Sequence, residues 1–379
     1  MSRLCKENRV IFIEPQKSLS ISFFKDLKNG LKPLLGIDHV EIQKNLEICY
    51  PPFSLPLFGH ILNKKVLKVT TPFIVKMNSL ILKRYIKKVQ KHLKIEKPLL
   101  WIYHPFHFEL LGAFHEKLTI FYVIDEISWY ARNDRISDIL EEYDALLCKK
   151  ADIVFACSNA LHIKRKPLNN NTYLIENAAD FTHFNKAQDA SLKMPEDIKD
   201  IRHPIIGFSG CLAWHIDIDL LIEIARTHPE WSLVLVGPDE LPKSDSYYHI
   251  KSMNNVFFLG EKNIRLLPNY LKSFDVAIMP YDIKTHAIAA STPLKTFEYL
   301  AAGKPVVCVK LPLMNELKEI VKFADTPQEF IFHIEGFLKR KSDEVIKQGI
   351  EEARKNTWDN RVAKICEHIS NALQEQSTA

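Results

Sequence analysis

Glycine is scarce in this chain, with 11 in 379 residues against a usual share of about 7%. Each glycine at a strand-to-helix junction therefore asks for a reason. No C-x-x-C pair occurs among the seven cysteines, at positions 5, 49, 148, 157, 211, 308 and 366. Their odd number excludes a fully paired disulfide framework. No run approaches ~18 uninterrupted apolar residues, which excludes a membrane-spanning helix. Residues 1–8 are polar and no long apolar core follows them, so no secretory signal is expected. Reduced thiols and a cytoplasmic location, or the inner face of the cytoplasmic membrane, are the expectation. No His, Cys, Asp and Glu cluster has metal-ligand spacing and no D-x-D pair ends a strand of the first half, so no metal or other cofactor is expected.

Strong charge of one sign is also missing overall. The net charge of +5 is modest, and no nucleic-acid partner is expected. One region departs from this balance: from 64 to 97, eleven Lys or Arg stand against one acid, Glu96. It reads either as a solvated helix packing on a sheet or as a basic, partly apolar surface for anionic lipid near a lipid-linked acceptor.

What is present is a packed, alternating chain. An apolar fraction of 46% with 26% charged residues suits a globular protein, and the length allows about two to three domains. Short β-branched runs alternate with amphipathic stretches, which predicts an α/β fold of parallel sheets flanked by helices. The first half offers strands at 10–13, 99–103, 118–124, 153–156 and 172–175. Several end in polar residues such as His104, Asp125 and Ser158, and ligands of open α/β sheets bind beyond the carboxyl ends of strands. Residues 185–204 are polar, charged and carry two prolines, which suits a linker. Further strands are expected at 205–208, 233–236, 256–259, 276–279 and 306–309, and helices at 218–227, 329–337 and from 343 to about 375. The pattern predicts two α/β domains, 1–184 and 205–357, with a central cleft.

The most informative segment is 291–309, STPLKTFEYLAAGKPVVCV. Thr292 suits an N-cap and Pro293 the first helical position. Leu294, Phe297, Tyr299 and Leu300 supply a buried side, and Gly303 suits the left-handed conformation that ends a helix. Lys295 and Glu298 stand i, i+3 near the helix start. Such a start presents unpaired N–H groups and partial positive charge, a ready anion site. A lysine adds to that field, and a glutamate one turn on can accept both hydroxyls of a ribose. Together they fit the diphosphate and ribose of one nucleotide. The plainer alternative is a surface Lys–Glu pair worth roughly a few tenths of a kcal/mol.

This segment resembles the donor-binding motif of GT-B glycosyltransferases, in the branch like the teichuronic acid biosynthesis enzymes. GFSG at 207–210, HPEWSLVLVGP at 228–238, NVFFLG at 255–260 and FDVAIMPY at 274–281 are similar to the same branch, and NAADFTHF at 177–184 to a strand-end signature of the superfamily. The resemblance runs from about 99 to 358 and implies two Rossmann-like domains, with a last helix, 358–379, crossing back from Trp358. It further implies that Glu298 binds the ribose of a UDP- or GDP-linked sugar. Lys295 and the backbone of Thr292, Pro293 and Leu294 would bind phosphate, and Gly207, Ser209 and Gly210 would let the backbone approach the diphosphate. A tight turn with no ligand is the alternative for those glycines.

Four departures qualify the likeness. Many relatives carry a second glutamate where this chain has Ala290, and an Arg and Lys pair that is missing from 211–219. NAA at 177–179 lacks the usual glycine, and relatives begin with a strand before the helix that residues 1–8 resemble. On the acceptor side, FYVIDE at 121–126 resembles a strand end of the family. Asp125 is the candidate base for an acceptor hydroxyl and Glu126 the second choice, unless Asp125 caps the next helix. His104 and Trp214 are candidate sugar contacts, with packing as the alternative for each. Trp129 and Tyr130 divide the same way. Asp217 and Asp219 are read as helix-start residues, not metal ligands. The function expected is metal-independent transfer of a sugar from a nucleotide carrier to a lipid-linked or oligosaccharide acceptor in surface glycan assembly. The other readings are a degenerate, non-catalytic GT-B partner or glycan-binding module and a sugar-nucleotide epimerase.

Overall fold

The computed structural model describes residues 3–18, 39–57, 64–130, 134–283, 294–311, 316–340 and 343–378. The chain forms two compact units, Met1–Ile175 with Val362–Ala379 and Glu176–Arg361. Residues 185–204 lie within the second unit and not as a free linker. Ala187 and Ile198 are buried in its core, and Lys272 Nζ donates to the carbonyls of Asp189, Ala190 and Leu192 at 2.7–2.8 Å. Polarity alone misleads there, because the buried residues are two among many exposed ones.

The first unit holds two sheets. β1 (Val10–Ile13), β2 (His39–Gln43) and β3 (Leu46–Cys49) form one, in the order β1-β3-β2. Neither β2 nor β3 is expected from the sequence. Both carry polar residues at alternate positions, and Asn45, with φ of 66°, makes the tight turn between them. The second sheet runs β4 (Leu99–Ile102), β5 (Leu118–Val123), β6 (Ile153–Ala156) and β7 (Thr172–Leu174), all parallel and in sequence order. β5 and β6 are buried along their whole length, as continuous apolar runs covered on both faces must be. The helix Lys64–Leu93 packs through Leu82, Tyr85 and Val89. The last helix, Trp358–Thr378, adds Ile365 and Ile369 to the core around β5 and β6.

The second unit is a six-stranded parallel sheet made of β8 (Ile205–Ser209), β9 (Ser232–Val236), β10 (Val256–Gly260), β11 (Val276–Met279), β12 (Val306–Val309) and β13 (Val321–Ala324). Its order is β10-β9-β8-β11-β12-β13, a doubly wound sheet. β8, β9, β11 and β12 are fully buried. The winding reverses between β8 and β11, and the crevice beyond the carboxyl ends at such a reversal is where ligands of this architecture bind. Two helices, Asp343–Lys355 and Trp358–Thr378, replace the single stretch expected from 343. They part where the N–H of Ala179 donates to the Asn356 carbonyl at 3.2 Å.

Candidate active site

The geometry at the reversal begins with the helix Leu294–Ala301, whose residues from Thr296 to Ala301 are buried. Its carboxyl end closes at Gly303, with φ of 66°, and the Lys304 N–H donates to the Tyr299 carbonyl at 3.0 Å. Near that same end the helix is held against β8 by Tyr299. This fully buried phenol accepts from the Ser209 N–H at 2.8 Å and donates to the Ser209 carbonyl at 3.2 Å. Burial first, then neighbouring acidic groups, push its pKa well above the ordinary value, so it remains a neutral fastener.

Lys295 Nζ donates to Glu298 Oε2 at 3.2 Å, and the side chains are 24% and 8% exposed. That burial rules out the surface-pair alternative. A carboxylate withdrawn from water costs several kcal/mol unless its lone pairs are filled, and one lysine fills few of them. Among the described residues, Lys295 is the partner of Glu298 that the geometry supplies.

The glycines have separate duties. A Cβ at Gly207 would overlap the Phe274 ring, so that glycine serves packing inside the sheet and not phosphate approach. A Cβ at Gly210 would stand 2.5 Å from Lys295 Cε, so Gly210 makes room for the lysine stem. Gly237, with φ of 147°, lies against the Gly210 carbonyl. The backbone N–H groups of Ser209 and Gly210 are already engaged, the first by Tyr299 and the second by the Val236 carbonyl at 2.8 Å. Gly210 therefore makes room for Lys295, and the Ser209 and Gly210 N–H groups are spent within the protein. Leu294 opens the helix half-buried, and Thr292, Pro293 and Ala290 lie outside the described residues.

The loop after β8 is stitched to the end of β11. Asp217 donates its N–H to the Pro280 carbonyl and Asp282 donates to the His215 carbonyl, each at 2.9 Å. Asp217 also caps the helix Ile218–Thr227, accepting from Leu220 N–H at 2.9 Å, as its position suggested. Trp214 is 45% exposed and meets the His215 ring edge-on, with centroids 5.5 Å apart.

In the first unit, Asp125 is half-buried two residues beyond β5, and its Oδ1 accepts from the Glu126 N–H at 2.9 Å. Glu126 is in another situation, 3% exposed. Arg165, which is 0% exposed, reaches both of its oxygens at 3.2 Å, Lys164 Nζ lies 3.2 Å away, and Ser128 Oγ donates at 3.2 Å. Arg165 also donates to Asp144 at 3.0 Å. Burial pushes the Glu126 carboxyl up, but Arg165 and Lys164 outweigh it and hold the group below its ordinary value. A carboxylate so caged is a poor proton acceptor, and the second-choice base is instead part of an internal ion network. His104 caps the turn Pro105–Leu110, its Nδ1 accepting from Phe106 N–H at 3.2 Å. Burial lowers its pKa, and burial and His104 together bring His107 down to about 4. The side chains of Trp129 and Tyr130 lie outside the described residues. Among the described residues, no group of three or more His, Cys, Asp or Glu stands where it could hold a metal ion, and no helix is long and apolar enough to cross a membrane.

Sequence reasoning did not assign Tyr299, His215 or Arg165 to either constellation. Tyr299 sits i+4 from Lys295, a spacing that would have found it. Arg165 leaves no local signal, since its partners lie 39 and 21 residues away.

Residues 203–340 match a family described as glycosyl transferases group 1. A putative teichuronic acid biosynthesis glycosyltransferase, TuaH, of Bacillus subtilis is 27% identical over 272 residues, covering 67% of this chain and 66% of that protein. This chain thus spans about two thirds of the relative's length. Among solved structures, sucrose-phosphate synthase from Thermosynechococcus elongatus aligns with a TM-score of 0.69 at 14% identity, over 99% of this chain and 91% of that one. Anabaena HepE, in complex with UDP and glucose, aligns with a TM-score of 0.61 at 15% identity, over 96% and 100%. These likenesses show the GT-B fold.

Proposed function

We propose, for a chain that over residues 203–340 belongs to the group 1 glycosyl transferases and folds as GT-B, that it moves a sugar from a nucleotide-sugar donor to a precursor of a cell-surface polysaccharide or glycolipid, without a metal. The observation that carries this reading is the buried Glu298, paired with Lys295 alone among the described residues, at the sheet reversal. Glu298 accepts the ribose hydroxyls. Lys295 and the helix start take up the charge of the departing diphosphate, the contribution a divalent cation makes elsewhere. The bond from the anomeric carbon to the diphosphate breaks with its electron pair on phosphate. The acceptor oxygen forms the new bond as its proton leaves to a base, for which Asp125 is the candidate. Trp214 is the proposed sugar contact of the second unit. The HepE complex with UDP and glucose and the teichuronic acid assignment of TuaH support a UDP-sugar and a cell-wall glycan.

Thermal unfolding with UDP and with GDP, with and without EDTA, tests the donor half of this reading. Stabilisation that survives EDTA is expected. No response to either nucleotide would overturn it, and binding without transfer to any acceptor would favour a non-catalytic module.

The acceptor half extends to a membrane surface at the cytoplasmic side. The helix Lys64–Leu93 turns Val66, Val69, Phe73 and Leu80 outward, 39–75% exposed, while Lys76, Arg84, Lys87 and Lys88 are exposed on the same helix. Apolar residues among cations suit the face of a bilayer containing anionic lipid. Flotation with anionic and with neutral vesicles tests it, and equal partitioning disposes of it.

A further inference from the structure

His215 is held from both sides. Its carbonyl accepts from the Asp282 N–H at 2.9 Å, and Ile216 bridges to Tyr281. The half-buried ring lies 5.8 Å from the Tyr281 ring, tilted by 42°. Three groups act on it besides Trp214, whose ring meets it edge-on. Lys295 opposes its charge, the Cys211 backbone forms a hydrogen bond with the ring, and the buried Tyr281 stands beside it. Glu298 in turn pairs with Lys295 and acts on Tyr281. Burial first, with Lys295 in support and the Cys211 bond working against them, holds the imidazole below its ordinary pKa. The ring is thus held neutral in the loop after β8, within the field of the ammonium that Gly210 makes room for.

We infer that His215 is a second anion-contacting side chain of the donor site, and that it takes up a proton when a nucleoside diphosphate binds. The inference rests on the reading that Lys295 and Glu298 hold the donor. A diphosphate beside Lys295 brings more negative charge than one lysine offsets. It cancels the repulsion acting on the imidazole and places opposite charge within reach, both of which favour the protonated ring. Linkage then requires affinity to rise as pH falls through the range between the two imidazole pKa values.

Titration calorimetry of the full chain with UDP, in two buffers of different ionisation enthalpy at about pH 6 and about pH 8, measures the uptake. The wild-type chain should take up part of a proton beyond that accounted for by UDP itself. Its affinity should gain about threefold to tenfold more on acidification than that of His215→Gln, one pKa unit being tenfold. Equal uptake in the two chains overturns the inference. So does the absence of excess uptake in the unmodified chain, whatever the variant's folding. Lys295→Ala separates the layers. If it binds UDP like wild type, the donor reading itself fails. If it loses binding while His215→Gln keeps wild-type uptake, only the role of His215 is refuted. No binding of UDP or GDP by the unmodified chain overturns both.

Discussion

Each unit buries a glutamate near the carboxyl end of its sheet, and the two are treated differently. Glu126 meets a fully buried guanidinium at both oxygens, an ammonium and a hydroxyl. Among the described residues, Glu298 meets one lysine that is 24% exposed. The first arrangement fills the carboxylate's lone pairs from within the protein, the condition under which a buried charge is tolerated. The second leaves capacity over, and leaves it at a sheet reversal. Burial of an acid is common to both; the completeness of its pairing separates architecture from a place to receive a ligand.

Substituting the partners tests that contrast most directly. Arg165→Met should strand Glu126 and Asp144 in the first unit and lower stability by about 3–5 kcal/mol, read as a fall in the first denaturant midpoint. A loss below ~1 kcal/mol would erase the contrast. Glu298→Gln should do the reverse. Turnover should fall about 10²–10³-fold, on the scale of a lost transition-state contact, with little change in unfolding midpoint. Wild-type turnover in that variant would remove Glu298 from the site.

Protons sharpen the comparison from another side. His107, brought from 6.5 to about 4 in the first unit, is neutral when folded. Between those values the unfolded chain binds a proton that the folded chain does not. Its contribution is therefore intact above pH 6.5 and lost as pH falls toward 4, by up to about 3 kcal/mol at ~1.36 kcal/mol per unit. Glu126, held below its ordinary value, acts in the same direction at lower pH. His107→Phe should flatten the upper part of a stability–pH curve, and an unchanged slope would contradict the burial. The smallest effect is expected at Gly210. Gly210→Ala should cost about 1–2 kcal/mol of stability at most, because the clashing Lys295 stem can move, yet weaken UDP binding because the ammonium is displaced. A calorimetric affinity equal to wild type would dissociate the glycine from the lysine.

Much of the architecture was legible because it is written in local patterns. Val10–Ile13, Ile153–Ala156, Val276–Met279 and Val306–Val309 are strands at the expected bounds, since continuous β-branched runs between polar punctuation leave little choice. β2 escaped because an exposed strand mixes polar with apolar residues, β3 because Glu47 interrupts a four-residue run, and β13 because Lys322 does the same. In the site, Lys295 and Glu298 were visible as an i, i+3 oddity. What their burial means was not, because burial is a property of the neighbours. The same limit explains Glu126, which reads as a strand-end acid like Asp125 until Arg165 arrives from a helix 39 residues later. Gly207 and Gly210 read alike in sequence, and only the Phe274 ring and the Lys295 stem beside them tell the two apart.

The first unit draws its core from both ends of the chain: Ile365 and Ile369 pack around β5 and β6, some two hundred residues after those strands are made. A ribosome therefore releases every residue of the second unit before the first can close. Until then Phe155 and its neighbours lack their last cover, so a nascent chain exposes an oily patch throughout most of its synthesis. Separating the units for study accordingly calls for joining residues 362–379 to 1–175, not for a single cut.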